Sequence, residues 1–325
     1  MLEDIALGID LGGTKTYAVV TTPDHTVLAT AKCATDATGG PEGVVRSMLQ
    51  LGEQALGSLG MTLDDAGCIG IAVPAGVDPA TGDCLHAPNL GLRNFSLKEL
   101  FFNLSGREAR FGNDGDMGVL AETVCGAARG HKNVLGFFVG TGLGGGVILT
   151  GRLLWGNSGV AGELGHMIVK QGGSRCGCGR RGCIEAYCSK IAFVKKIRKL
   201  VYKRGMQTML PPSKFARDTR NIKSKYLAKA YQDGDAVVRS VVDNGAYMLG
   251  VAAASASVVV GPDAIVLGGG VVSVLGKEMF EPFRRSFAEH LFALDPNRVE
   301  LRLSELGDDA VALGASILAR SKGNG

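Results

Sequence analysis

The chain has 325 residues, more than a single hydrophobic core usually supports, so we predict two lobes. Hydrophobic residues make up 46% of it and charged residues 20%, a composition typical of globular proteins that excludes an intrinsically disordered chain. The formal net charge of +4 does not describe a uniformly basic protein, because residues 190–229 alone contain thirteen basic residues and one acidic residue, Asp218.

This basic segment can meet nucleic acid or another polyanion. Lysines also cluster on solvated helix faces, and no interleaving of aromatic residues suggests stacking on bases. We therefore predict a solvent-exposed face without a nucleic-acid partner.

Other features bear on where the protein is found. Residues 1–5 lack the basic and apolar regions of a secretory signal. The most apolar long stretch, residues 245–260, is too short to cross a bilayer and is predicted to be a buried helix. The eight cysteines do not resemble a secreted disulfide framework, so we predict the reducing cytoplasm and no membrane partner.

The first predicted elements are three strands, over residues 5–11, 16–22 and 25–34. Asp10 ends the first of them, and its carboxylate would hold Mg²⁺ through water. A turn follows whose amides, hydroxyl and positive charge can face phosphate oxygens: Gly12, Gly13, Thr14 and Lys15. The same string also makes ordinary hairpins, and it lacks the spacing and the following helix of a Walker loop.

A helix over residues 43–59 and a buried strand over residues 68–73 come next. The strand ends in a turn that contains Gly76, and Asn89 lies in a second polar turn. Asn89 offers a donor and an acceptor that suit a sugar hydroxyl, although asparagine after proline in a turn needs no function. Both interpretations of Asn89 stay open.

Asn113 and Asp114 precede a helical pattern over residues 117–125. Either side chain can cap that helix, which in isolation is the commoner role of these residue types. The functional alternative places Asp114 at a cleft, where it accepts a proton from a substrate hydroxyl as a general base.

The strand predicted over residues 134–139 runs into a second glycine-rich turn, residues 140–146, and a strand over residues 147–149 follows. This repeats the arrangement at the start of the chain. Two such turns in matching strand contexts predict a pair of phosphate-binding loops, the second built from Gly140, Thr141 and Gly142.

Three cysteines lie within eight positions, at Cys176, Cys178 and Cys183. The glycines between them tolerate positive φ angles, which lets the chain fold three sulfurs around one point. With His166 as the fourth ligand they predict a closed tetrahedral zinc site of the structural kind. A disulfide is the alternative, but it would be strained at this spacing and reduced in a cytosol, and His166 can also be an ordinary polar residue.

Such a metal site would fix three more groups at one rigid point. Glu163 lies three residues before His166, and Glu185 lies two residues after Cys183. Together with the second ring nitrogen of His166, the two carboxylates would suit a ligand rich in hydroxyl groups.

Beyond the metal segment, the patterns predict a basic helix over residues 191–204 and an irregular, mobile insertion over residues 205–224. A strand over residues 264–267 closes on a third glycine turn, where Gly269 permits close approach by a purine or ribose. The remaining predicted elements are helices over residues 235–260, 277–291 and 309–321 and a strand over residues 299–303.

Taken together, these motifs resemble the ROK family, named for repressors, open reading frames and kinases. The resemblance extends from Ile5 to the final helix and rests on residues 8–15, 88–90, 113–114, 140–146, 163–166, 176–185 and 267–270. The metal segment is its most specific part.

The resemblance implies an α/β fold of the actin-like ATPase type, a duplicated ribonuclease H-like fold with two lobes around a nucleotide and sugar cleft. One lobe would be residues 1–112 with 310–325, and the other residues 113–309, with the zinc motif (166–183) and a basic insertion (about 190–229). It further implies ATP-dependent phosphorylation of a hexose, usually at the 6-hydroxyl, with Mg²⁺ accompanying ATP. A homodimer or homotetramer is expected on the same ground.

By position, the resemblance makes Asp114 the catalytic base. It assigns sugar binding to Gly76, Asn89, Asn113, Asp114, Glu163, His166 and Glu185. It places Asp10, Gly12, Gly13, Thr14, Lys15, Gly140, Thr141, Gly142 and Gly269 around Mg-ATP, and makes His166, Cys176, Cys178 and Cys183 the zinc ligands.

The sequence departs from the family pattern at two places. Gly115 and Asp116 follow Asn113-Asp114, where the family commonly has Ala-Asn, and neighbouring carboxylates can raise each other's pKa. Leu92 stands where many glucose-specific members have an aromatic residue. The expected substrate is nevertheless glucose.

Several alternatives to a glucokinase remain open. Within the family these are a kinase of an N-acetylated hexosamine or of fructose, and polyphosphate in place of ATP as the donor. From other classes they are a sugar-responsive repressor, which would need a winged-helix segment before the first strand at Ile5, and a non-catalytic sugar sensor.

Overall fold

A computed structural model of the protein describes residues 4–13, 15–36, 39–78, 81–87, 92–215, 223–293 and 295–321. Two predicted site residues, Thr14 and Asn89, lie outside the described residues. No helix in the described part of the chain has both the length and the apolar character that a bilayer-spanning segment needs.

The described residues form thirteen strands and eight α-helices. The strands are β1 (Ala6–Leu11), β2 (Lys15–Thr21), β3 (Val27–Ala34), β4 (Cys68–Val73), β5 (Gly76–Val77), β6 (Cys84–Ala87), β7 (Leu92–Phe95), β8 (Arg110–Asn113), β9 (Val134–Val139), β10 (Leu143–Leu149), β11 (Arg152–Leu153), β12 (Ala264–Gly268) and β13 (Glu300–Leu303). The helices are α1 (Gly40–Gly57), α2 (Leu97–Ser105), α3 (Asp114–Val124), α4 (Lys190–Arg204), α5 (Ser224–Gln232), α6 (Ala236–Val260), α7 (Val272–His290) and α8 (Ala310–Arg320).

Two five-stranded sheets share one arrangement. The first has the order β3-β2-β1-β4-β8, with β1 antiparallel to β2 and parallel to β4. The second has the order β11-β10-β9-β12-β13, with β12 parallel to both β9 and β13. In each, the strand before a glycine turn lies between the strand after that turn and a parallel strand. The repeat seen in the sequence is therefore a repeat of sheet topology.

The last helix, α8, packs against the first sheet and against α3. It can do so closely because the facing strands carry glycine: a Cβ at Gly8 would lie 2.1 Å from the Ala312 carbonyl oxygen, and one at Gly70 would lie 1.9 Å from that of Ala315. On the helix itself, a Cβ at Gly314 would lie 1.9 Å from the Met117 carbonyl oxygen of α3. Backbone meets backbone along this contact.

The chain packs as two compact units. The first comprises Met1–Gly130, Gly146–Gly162 and Asp308–Gly325, and the second comprises His131–Gly145 and Glu163–Gly307. The boundary expected from the sequence lies between residues 112 and 113, whereas this division places α3, with Asp114, in the first unit. The packing of α3 against α8 accounts for the difference.

Most predicted elements are found within a few residues of their expected bounds, and β4 and β9 coincide with them. Helix α3 begins three residues earlier than predicted because Asn113 caps it, and α7 begins five residues earlier, at Val272. The glycines expected in a turn at residues 144–146 lie within β10. Helix α2 was not predicted, although the hydroxyl of Ser96 accepts a hydrogen bond from its first turn.

The close contact at Gly314 gives a test of this packing. Alanine favours a helix over glycine by up to about 1 kcal/mol, but a Cβ at Gly314 meets rigid backbone, so Gly314→Ala should lower the free energy of unfolding by about 1–3 kcal/mol. Gly43→Ala is the matched control, since it lies in α1 with nothing within 4 Å of the added Cβ, and it should leave stability unchanged or raise it. Urea unfolding measures both, and shifts of the same sign would contradict the packing described.

Candidate active site and metal centre

Asp10 lies at the carboxyl end of β1, where its register partner is Tyr17 of β2, which in turn pairs with Lys32 of β3. Directly opposed residues project from the same face of a sheet. Burial raises the pKa of Asp10 to about 7, with the carboxylates of Asp114 and Asp308 adding to the effect and the Lys32 ammonium opposing it. Negative charge is therefore concentrated around Asp10.

This donor set fits a divalent cation. Carboxylate oxygens are the ligands that Mg²⁺ prefers, and a cation beside Asp10 would offset both the burial of its charge and the repulsion from Asp114 and Asp308 that raise its pKa. The structure thus supports the fit of Mg²⁺ at Asp10 by its charge distribution.

The turn after Asp10 joins β1 to β2 as a hairpin. The Gly12 amide donates to the Lys15 carbonyl (3.0 Å), and the Thr35 hydroxyl donates to the Gly12 carbonyl (2.6 Å). A Cβ at Gly12 would lie 2.5 Å from the Lys15 oxygen, so this position requires glycine. Gly13 and Lys15 are exposed. The turn is therefore a β-hairpin, and a hairpin at this position is compatible with phosphate binding.

Asn113 and Asp114 have different roles at the start of α3. The Asn113 carboxamide oxygen accepts from the amides of Gly115 (2.8 Å) and Asp116 (3.4 Å), and its Nδ2 donates to the Ala75 carbonyl (3.1 Å). Asn113 is thus the helix cap. Asp114 is the first residue of α3, where the helix dipole favours a carboxylate.

Asp116, the departure from the family pattern, is buried at 2% exposure. A Cβ at Gly162 would lie 3.1 Å from its Oδ1 atom. Gly76, a predicted sugar ligand, lies in β5 opposite His86 of β6 and follows the Ala75 carbonyl that Asn113 binds.

In the second unit, the loop at residues 140–142 is closed by a hydrogen bond from the Gly140 amide to the Gly142 carbonyl (2.9 Å). The start of α4 lies against it, because the amides of Lys190 and Ile191 donate to the carbonyls of Gly140 and Thr141. Gly269 has a φ of 88°, and a Cβ there would lie 2.7 Å from the Val139 carbonyl oxygen. The structure therefore brings Gly269 beside the strand end that leads into this loop.

Glu185 connects this loop to the cysteine segment. Its Oε2 accepts from the Leu143 amide (3.2 Å), and its Oε1 accepts from the Cys176 thiol (3.1 Å). A Cβ at Gly142 would lie 2.4 Å from Oε2, so any larger residue there would displace the Glu185 carboxylate from its present position.

Glu163 immediately precedes a short 3-10 helix in the same unit, Leu164–His166, and His166 is its last residue. Burial raises the pKa of Glu163, His166 acts against this, and the carboxylate of Glu185 adds to it. A Cβ at Gly165 would lie 1.9 Å from the Leu143 carbonyl oxygen. The 3-10 helix can therefore pack this closely against β10 because Gly165 has no side chain. Glu163, His166 and Glu185 therefore form one electrostatically coupled group.

Four side chains could hold a metal ion, with ligand atoms all within 4.8 Å of one another: His166, Cys176, Cys178 and Cys183. The His166 Nδ1 lies 3.7 Å from the Cys176 sulfur, and the Cys178 and Cys183 sulfurs are 3.7 Å apart. A tetrahedron with metal–sulfur bonds of about 2.3 Å has edges of about 3.7 Å. The donors and their spacing fit a four-coordinate metal, and they leave Nε2 of His166 outside the set.

Sequence reasoning missed the residues around Asp10 that come from other strands and from the chain end. The Tyr17 hydroxyl donates to Asp309 (2.6 Å), and Lys32 lies 3.8 Å from Asp308. Burial and the bond to Asp309 raise the pKa of Tyr17 to about 12. The adjacent acidic pair before the last helix is the one signal in the sequence that could have indicated this group.

The described site residues thus fall into two sets. The first unit contains Asp10, Gly12, Gly13, Lys15, Gly76, Asn113 and Asp114, and the second contains Gly140, Thr141, Gly142, Glu163, His166, Cys176, Cys178, Cys183, Glu185 and Gly269.

Comparisons with known proteins identify the family of the chain. A sequence model described as the ROK family matches residues 6–322. A glucokinase of Halalkalibacterium halodurans is 30% identical over 322 residues, which is 98% of this chain and 96% of the relative.

Two solved structures are similar over the full length. A ROK family glucokinase from Streptomyces griseus, in complex with glucose and AMPPNP, has a TM-score of 0.83 and 31% identity, covering 97% of this chain and 99% of that one. A ROK hexokinase from Thermus thermophilus has a TM-score of 0.80 and 30% identity, covering 97% of both chains. The predicted actin-like α/β fold is confirmed.

The metal centre makes a direct prediction. The purified protein should contain about one equivalent of a divalent metal, and Cys183→Ser should lose most of it because a neutral hydroxyl replaces a thiolate ligand. Cys125→Ser is the matched control, since that thiol donates to the Ala121 carbonyl of its own helix, as serine can, and lies outside the cluster. Inductively coupled plasma mass spectrometry measures the metal. Equal content in both variants would show that these thiols are not its ligands.

The environment of Asp10 predicts a pH dependence of stability. Its pKa in the folded protein, about 7, exceeds the ordinary value of 3.8, so the folded chain holds the extra proton and its stability falls as pH rises from about 4 to about 7. Without metal or nucleotide, Asp10→Asn should therefore unfold at a higher temperature than wild type at about pH 8, with a smaller difference at about pH 5.

Thermal unfolding in the presence of a chelator measures this effect. Glu53→Gln, at an exposed position of α1, is the control and should change the unfolding temperature little at either pH. If Asp10→Asn were less stable than wild type at the higher pH, the carboxylate would not be under the repulsion described.

Proposed function

Because this chain belongs to the ROK family, we propose that it is an ATP-dependent glucokinase, which transfers the γ-phosphoryl group of ATP to the 6-hydroxyl of glucose. The observation that carries the proposal is the full-length likeness, at 30–31% identity, to proteins named glucokinases. The acidic pair Asp10 and Asp114, coupled in one unit, supplies the chemistry that such a transfer needs.

In the proposed reaction, the oxygen of the sugar 6-hydroxyl bonds to the γ-phosphorus of ATP, and Asp114 accepts the proton of that hydroxyl. The bond between the γ-phosphorus and the oxygen that bridges it to the β-phosphate breaks, and ADP leaves. Phosphoryl transfer depends on positioning and charge neutralisation more than on covalent help from the protein. Asn113 fixes the start of α3 through its two capping bonds, so Asp114 is held by the backbone.

The glycine turns are proposed to bind the nucleotide. Gly12, Gly13, Thr14 and Lys15 would contact its phosphates, and Gly140, Thr141, Gly142 and Gly269 are the other residues assigned to it. Asp10 would hold the Mg²⁺ that accompanies ATP, an ion that neutralises charge on the phosphate oxygens when bound.

The sugar hydroxyls are proposed to be bound by both hydrogen-bond donors and hydrogen-bond acceptors. Glu163 and Glu185 accept hydrogen bonds from its hydroxyls, and the Nε2 atom of His166 faces it. Gly76, Asn89 and Asn113 complete the set. Support comes from the burial of Glu163 and from the effect of the His166 and Glu185 charges on its pKa.

We propose zinc as the metal held by His166 and the three cysteines. Three thiolates and one imidazole in tetrahedral spacing are the donors of structural zinc sites. With four protein ligands the ion has no open position for water, so its role is to fix the segment that carries Glu163 and Glu185.

The setting proposed for this enzyme is the cytoplasm, where ATP is made and thiols stay reduced. A homodimer or homotetramer is proposed from family membership, which light scattering of the purified protein would measure.

The function is tested by ADP release in a coupled assay. Glucose should be phosphorylated with the highest kcat/KM in a panel with mannose, fructose, N-acetylglucosamine and N-acetylmannosamine. A preference for an N-acetylated sugar would replace the proposed substrate within the same chemistry, and no ADP release with any sugar would overturn the kinase assignment.

Asp114→Asn should reduce kcat by about 10²–10⁴-fold, because the amide cannot accept the hydroxyl proton. The substitution keeps the oxygen that accepts from the Gly115 amide, so the helix start and glucose binding should remain. Stopped-assay kinetics measure turnover, and calorimetric titration with glucose measures binding. Asp64→Asn, at an exposed position, is the control and should keep wild-type turnover; wild-type turnover of Asp114→Asn would exclude it as the base.

A further inference from the structure

Helix α4 exposes a dense set of positive charges on one side. Its buried side chains Phe193, Val194, Ile197 and Leu200 face the protein, while Lys195, Lys196, Arg198, Lys199 and Lys203 are exposed. At about 100° per residue these cations fall within roughly half of the helix circumference. We call this surface, together with Tyr202, the α4 basic face.

Large apolar side chains lie within and beside this face. Tyr202, 59% exposed, lies between Lys199 and Lys203, and Met206 and Met209 follow at 39% and 62% exposed. The helix places the Tyr202 ring among the cations, which was not expected from the sequence. Exposed apolar side chains on the helix and in the segment that follows it distinguish this part of the chain from an ordinary solvated lysine face.

Further cations lie in the segment after α4. The ring of Tyr202 lies 5.7 Å from that of Phe215, whose preceding residue is Lys214. The Lys214 ammonium lies 4.5 Å from the ring centre of Tyr226, and that of Lys225 lies 5.7 Å from it. Two more cations thus lie beside an aromatic ring at the start of α5.

Four lysines of this face lack a carboxylate partner in the part of the chain that the structure describes. Among the described residues, no carboxylate lies within 4.0 Å of the ammonium groups of Lys195, Lys196, Lys199 and Lys203. Like charges four residues apart on a helix repel, as at Lys195 and Lys199, and such pairs destabilise the helix on their own. The arrangement favours association with an extended anionic partner.

We propose that the α4 basic face binds the surface of an anionic phospholipid membrane. Lysines and arginines near an anionic bilayer each add to the binding, and aromatic and apolar side chains enter the interfacial layer. A free phosphate polymer would use the cations but leave Tyr202, Met206 and Met209 without a partner. The binding would be peripheral, so it does not require a membrane-spanning helix, which the described part of the chain lacks. The proposal differs from the expectation, drawn from the sequence, that the protein has no membrane partner.

The proposal is tested with the full-length protein and vesicles of two compositions. It should co-sediment with vesicles of equimolar phosphatidylglycerol and phosphatidylcholine at low salt and not with pure phosphatidylcholine. Binding should weaken steeply as salt is added, because ions screen the attraction.

Two variants separate the charge and the apolar contributions. Replacing Lys195, Lys199 and Lys203 with glutamine should weaken vesicle binding by about a hundredfold, at about fivefold per cation. Met209→Gln should weaken it by several-fold without changing its salt dependence. Neither touches the proposed active site, so unchanged glucokinase kcat/KM would show that both variants are folded.

A matched control carries the same loss of net charge elsewhere. Lys132, Arg152 and Arg298 are exposed, and their replacement with glutamine should leave vesicle binding near the wild-type level. An equal loss in this control would show non-specific attraction and overturn the proposal. So would absence of binding to the anionic vesicles at low salt, including a result in which the protein instead binds a single-stranded RNA oligomer or inorganic polyphosphate. None of these outcomes depends on which sugar is phosphorylated.

Discussion

The hydrogen bonds accepted by the Glu185 carboxylate hold the candidate site of the second unit together. One oxygen accepts from the Leu143 amide, which follows the glycine loop, and the other accepts from the Cys176 thiol. The loop at residues 140–142 and the cysteine segment, more than thirty residues apart, are thereby bonded to the same carboxylate. Gly142 leaves room for this carboxylate, since a Cβ there would lie 2.4 Å from Oε2. The candidate metal ligands and this glycine loop thus share one anchor.

The first unit holds several carboxylates near one another. Asp10, Asp114 and Asp308 come from a strand, a helix start and the approach to the last helix. The rigid packing of α8 on the glycine face of the sheet holds them in place against their repulsion. Electrostatic strain of this kind is typical of sites that bind a cation.

The sequence was informative where the chemistry is local. The spacing of Cys176, Cys178 and Cys183 and the two glycine turns lie in short stretches, so the metal cluster and the repeated sheet topology could be predicted. Tyr17, Lys32 and Asp308 could not, because they reach Asp10 through strand register and the return of the chain end. The start of α7 was not predicted because no side chain caps it. That the Tyr202 ring lies among the cations of α4 could be recognised only from the orientation of the residues around the helix.

The return of α8 has a consequence for synthesis on the ribosome. Every residue of the second unit precedes Asp308, whereas the first unit is completed by the last eighteen residues. Until α8 has been synthesised, the first unit lacks the helix that covers one face of its sheet, so that face stays exposed on the nascent chain. Residues far apart in the sequence must therefore meet late in synthesis to complete the amino-terminal unit.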